Sequence, residues 1–193
     1  MRRVRWWGRG LSPLARRAGM DALERVANAR LFTALRQERG IAYQASLTFE
    51  NDGHGSGGGR GQRRYTIALT TADANAEEAV GAAREVVRLL ATQARPVTRQ
   101  EARVARHGLA AAAKARRRDP TWCARQLTVS WEEGAAEERG GAGADGRALL
   151  AGGLVAGRAY LRAVRRMGRD DLRALAGELE HDGDGVRIAI VSS

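Results

Sequence analysis

Cysteine occurs once, at Cys123, in a chain of 193 residues. A single thiol excludes an intramolecular disulfide and any cysteine-rich metal site. Lysine is as scarce, with Lys114 the only one. No apolar run approaches the roughly 18 residues needed to cross a bilayer. The longest stretches are broken by arginine or glycine, so no membrane partner is expected. Acidic residues are missing from the opening MRRVRWWGRGLSPLARRAGM. Organelle transit segments share that bias, so a chloroplast or mitochondrial address is one reading of Met1 to Gly19, and an arbitrary basic extension is the other.

Catalytic patterns are also missing. A helical zinc site needs two histidines three or four residues apart, with a carboxylate nearby to activate water. Neither HExxH nor HxxEH occurs, and His54, His107 and His181 have no partner at that spacing. His181 with Asp182 and Asp184 lacks the ligand count of a calcium loop and reads as a polar turn. There is no GxSxG elbow, and Cys123 has no sequence cue for a base. Gly53, Gly55 and Gly58 match GxGxxG, but a strand follows them where a helix N-terminus is needed to meet a phosphate. The carboxylate pairs Glu132-Glu133 and Glu137-Glu138 lie within or beside a charged, glycine-rich stretch and read as solvated surface. On residues alone the chain holds no self-sufficient active site and no cofactor or metal of its own.

What is present is enough for one domain, since 44% of the residues are hydrophobic. The net charge of +11 is carried almost wholly by arginine. Clustered cations bind phosphate, which makes a basic nucleic-acid-binding domain one hypothesis, resting on Arg60, Arg63, Arg64 and the run Lys114 to Arg118. Against it, no aromatic stacking platform accompanies these arginines, and the run closes a predicted helix whose dipole it complements.

Apolar spacing predicts a helix over Asp21 to Arg39 on Leu23, Val26, Leu31 and Leu35, with Gly40 as its left-handed terminus. Alternation then predicts a strand from Ile41 to Phe49, with Ile41, Tyr43, Ala45, Leu47 and Phe49 on one face, and a second from Arg64 to Thr71. Asn51 to Gln62, NDGHGSGGGRGQ, reads as their long hairpin connection. Helices are expected from Asn75 and from Thr98, each with a capping-box glutamate, Glu78 and Glu101. The second ends at Asp119-Pro120. A short helix from Thr121, the loop Glu132 to Gly146, two more helices on Leu150 to Val164 and Leu172 to Leu179, and a last strand Val186 to Val191 complete the order. This is an α+β class, expected as an antiparallel sheet with helices packed on one face.

The junction Leu31 to Tyr43, LFTALRQERGIAY, resembles the pitrilysin, insulinase and mitochondrial processing peptidase family in its C-terminal-type domain. That family shows an arginine in an L-R-x-x-x-G-hydrophobic-x-Y context, and Arg36 and Tyr43 stand at this spacing around Gly40. YTIALTTADANAEEAV and VTRQEARVARHGLAAAAKAR resemble the strand and helices that follow, and Leu89 to Trp131 resembles plant stromal processing peptidases and their bacterial relatives. The resemblance covers about Met20 to Val191 and implies a pitrilysin-like metallohydrolase domain over Met20 to Ser193 without its first strand or strands, with Met1 to Gly19 as a basic extension. It implies a substrate-binding, non-catalytic portion of a zinc metalloendopeptidase, in which Arg36 and Tyr43 grip a peptide substrate. The Zn2+ and the general base would come from an HxxEH-bearing partner domain or subunit. Taken singly, Arg36 also fits a helix C-terminus and Tyr43 a core-facing strand position. A non-peptidase assembly subunit of the same family is the alternative reading.

Overall fold

The computed structural model describes residues 13–49, 65–116, 119, 121, 157–179 and 186–192. The expected glycine-rich connection, the loop Glu132 to Gly146, the residues Trp122, Cys123 and Trp131, the histidines His54 and His181, and Arg60, Arg63 and Arg64 lie outside them.

Helix α1, Pro13–Phe32, begins ahead of the expected Asp21. Its buried stripe of Leu14, Ala18, Ala22, Leu23, Val26, Ala27 and Leu31 recurs at helical spacing. Three alanines in that stripe let neighbouring elements approach closely, and α1 packs against most of the elements around it. A Cβ at Gly19 would collide with Leu175 Cδ1, which shows how tightly the last helix packs there. A π-helical turn, Thr33–Gln37, ends α1 and leads through Gly40 into strand β1, Gln44–Phe49.

Strand β2, Tyr65–Thr71, pairs antiparallel with β1, setting Leu47 opposite Ile67 and Phe49 opposite Tyr65. Its burial alternates: Tyr65, Ile67, Leu69 and Thr71 are buried and Ala68 is exposed. Helices therefore cover one face of the sheet. The rings of Phe49 and Tyr65 meet edge-on at 6.2 Å.

A 3₁₀ turn, Asp73–Asn75, leads into α2, Ala76–Ala91. Asn75 makes no side-chain cap here, so the expected capping box is not formed, and Glu78 turns instead toward Arg39 at 3.7 Å. In α3, Arg99–Arg116, the box is complete. The Glu101 N–H donates to Thr98 Oγ1 at 3.1 Å, and Glu101 Oε2 accepts from the Thr98 N–H at 2.8 Å.

Helix α4 is described over residues 157–166, and α5 spans Arg169–Gly177. Tyr160 Oη donates to Asp21 Oδ2 at 2.6 Å, and Arg16 pairs with Glu178, fastening both segments to α1.

Strand β3, Val186–Ser192, lies beside β2 and runs parallel to it. The sheet, in order β1-β2-β3, is therefore mixed and not antiparallel throughout as the sequence pattern leads one to expect. The cause is connectivity. No described element separates β1 from β2, which run in opposite directions, whereas described helices stand between β2 and β3, as is usual for a parallel pair. The class is α+β, with α1 at the centre of the core.

Among the described residues, no helix is long and apolar enough to cross a membrane.

Candidate functional site

The junction between α1 and β1 is built by three local devices. In the π turn, Glu38 N–H donates to Thr33 O at 2.9 Å, five residues back, which adds a residue to the turn and re-aims Arg36. Gly40 then takes φ +66°, the left-handed conformation that closes a helix. Finally the N–H groups of Ile41 and Ala42 both donate to Leu35 O, at 2.9 and 3.4 Å, satisfying a carbonyl at the helix end. Those bonds hold Ile41 and Ala42 out of the ladder, so β1 starts at Gln44 and not at Ile41. Thr71 Oγ1 donates to Ile41 O at 2.5 Å and ties the turn to the end of β2.

A Cβ at Gly40 would meet nothing within 4 Å, so backbone strain alone acts there. Gly40→Ala is expected to cost about 1 kcal/mol, read as a lower denaturant midpoint at an unchanged slope.

This geometry brings Arg36 and Tyr43 together. Arg36 Nη1 donates to Tyr43 O at 2.9 Å, and its guanidinium lies 5.8 Å from the ring centre of Phe32. Tyr43 is 63% exposed and Phe32 46%, so the core-facing alternative for Tyr43 does not hold. Among the described residues no carboxylate pairs with Arg36. Most of its five donors are thus open to a ligand.

The outer edge of β1 is closed by the same helix. Asn28 Oδ1 accepts from the Leu47 N–H at 2.5 Å while its Nδ2 donates to Leu47 O at 3.1 Å, reproducing what a neighbouring strand would offer. Glu24 Oε2 accepts from the Phe49 N–H at 3.4 Å. Burial pushes the Glu24 carboxyl up from its ordinary range, against the lowering effect of that Phe49 N–H.

Glu24, Asn28, Phe32 and Arg36 stand four residues apart in sequence. Four helical residues rise ~6 Å and two strand residues ~6.7 Å, so the row keeps step with Phe49, Leu47 and Tyr43 running the other way. The edge is therefore shut to an added strand, and a peptide here would be met by side chains. Asn28→Ala leaves the Leu47 N–H and C=O without these partners. It is expected to cost about 2 kcal/mol, measured by chemical denaturation, with faster hydrogen exchange at Leu47.

Sequence reasoning places Arg36 and Tyr43 but misses Phe32 and the edge-capping role of Asn28. The available signal was the polar border of Glu24 and Asn28 beside the buried stripe of Leu23, Ala27 and Leu31. His107 sits exposed on α3, and no three His, Cys, Asp or Glu side chains among the described residues are placed to share a metal ion.

Comparison with protein-family models, with curated proteins and with solved structures finds no match.

Proposed function

We propose that this chain is a peptide-binding, non-catalytic portion of a pitrilysin-type zinc metalloendopeptidase. The observation that carries the proposal is the pairing of Arg36 with Tyr43 at one exposed junction, guanidinium to backbone carbonyl at 2.9 Å. Held against the Tyr43 backbone and Phe32, the Arg36 fork is pre-oriented, so less side-chain freedom is lost when it binds a peptide carbonyl.

The Tyr43 phenol, exposed at the same junction, is a second donor. Together they suit an extended peptide and the charge that grows on its attacked carbonyl. A zinc-bearing partner with an HxxEH motif would supply the metal-activated water and the general base. The family resemblance of LFTALRQERGIAY supports this division of labour.

Purified chain is expected to hold no stoichiometric zinc and to cleave no peptide alone, yet to restore cleavage when mixed with such a partner. Zinc at one equivalent with turnover by the isolated chain contradicts the reading.

A second reading, a non-peptidase subunit that holds an assembly together, draws support from β3, the edge of the sheet among the described residues, where Ile190 is 46% and Val191 59% exposed. Assembly with the partner without any gain in cleavage would favour it.

A further inference from the structure

A cleft of about 730 Å³ opens where the start of α1 meets α4 and α5. That is within the size range of small-molecule sites. Its part-exposed apolar lining is Ala15, Ala159 and Ala163, lying over the buried Leu14, Met167 and Leu175, and Arg162 and Arg166 are exposed beside it.

Helix α4 explains this split. Tyr160 and Val164 face the core, while Arg158, Arg162, Arg165 and Arg166 form an exposed stripe. None of those four is ion-paired with a carboxylate among the described residues.

The acids lining the same cleft are already engaged. Asp170 pairs with Arg169 at 3.0 Å, and Asp171 Oδ2 accepts from the Gly168 N–H at 2.8 Å at the start of α5. Arg162 and Arg166 thus stand one helical turn apart on the cleft wall with no carboxylate bonded to either, and Asp171 is the one lining acid without a cationic partner among the described residues.

We infer that this cleft binds a small single-chain amphiphile with an anionic head, its apolar chain along Ala15, Ala159 and Ala163 and its carboxylate held between Arg162 and Arg166. Apolar burial supplies most of the attraction and the paired guanidiniums fix the orientation. The cleft lies at the opposite end of α1 from Arg36, some 30 Å away along a helix of this length, so it does not depend on the peptide-binding reading.

Titration calorimetry of the full chain with decanoate, below its micelle concentration, tests the site. Saturable binding near one equivalent is expected. The double variant Arg162→Gln, Arg166→Gln alters exposed side chains only and should weaken it at least tenfold, as should Ala163→Trp, which fills the cleft. Decanol, neutral and of the same chain length, should bind at least tenfold more weakly than decanoate. Circular dichroism and thermal unfolding of the arginine variant should match the parent chain. No saturable binding, equal binding of decanol, or binding that the arginine variant leaves unchanged would overturn the assignment.

Discussion

Arg30→Ala should lower the stability of this protein by about 3 kcal/mol, the largest loss expected from any single side chain outside the apolar core. Arg30 Nε and Nη2 reach Glu101 Oε1 and Oε2 at 2.7 and 2.9 Å, and its Nη1 and Nη2 donate to the carbonyls of Arg95 and Pro96 at 2.5 and 3.0 Å. Removing the guanidinium therefore strips partners from a carboxylate and two carbonyls at once.

The same cluster sets an acid limb. Burial alone would raise the Glu101 carboxyl, but the Arg30 guanidinium and the Thr98 N–H and hydroxyl outweigh it and hold it at about 2 against an ordinary 4.5. With the folded value depressed, the unfolded chain binds the proton first as pH falls. The stabilisation is whole above about pH 4.5 and is lost progressively toward pH 2. Its size is about 2 kcal/mol once solvent screening at a carboxylate that is 28% exposed is allowed for. Denaturation midpoints between pH 6 and pH 2.5 should fall steeply for the parent chain, and much less for Arg30→Ala.

Arg30 shows what a sequence conceals. The capping box of α3 was readable from Thr98 and Glu101, three residues apart and acting within one turn. That Glu101 also receives an arginine from α1, 71 residues away, depends on how the helices pack, and no local pattern carries it. β3 makes the same point. Alternation announces a strand but not its direction, and its parallel pairing with β2 follows from the helices between them.

The π turn was hidden because Thr33–Gln37 has ordinary helical residues, and the extra residue in the turn is fixed by where Leu35 must be buried and Gly40 must reverse the chain. Asn28 was hidden because a polar residue beside an apolar stripe reads as surface until a strand edge is found next to it. Arg36 and Tyr43 were legible for the opposite reason. They lie either side of a glycine that the backbone requires, so spacing alone nearly fixes their proximity.

The second large effect concerns those two residues. In a chain reconstituted with a zinc-bearing partner, Arg36→Ala should reduce kcat/KM for peptide cleavage about 100-fold, the scale of losing a donor aimed at developing negative charge. Tyr43→Phe removes one hydroxyl and should cost about tenfold. Arg36→Lys keeps the charge but loses the fork, so it should recover only part of the loss. Both side chains are exposed and contribute little to packing, so unfolding curves should move by less than about 1 kcal/mol. A fall in kcat with an unchanged KM would place the interaction in the transition state, and a rise in KM alone would make it ordinary substrate binding.

The most direct measurement is the initial rate of cleavage of an extended peptide by an equimolar mixture of this chain and a zinc-bearing HxxEH domain, repeated with the double variant Arg36→Ala, Tyr43→Phe. Cleavage by the parent mixture is expected, with none by this chain alone and a loss of two orders of magnitude or more for the variant, complex formation being retained. Equal rates for parent and variant mixtures would contradict the peptide-binding role of Arg36 and Tyr43.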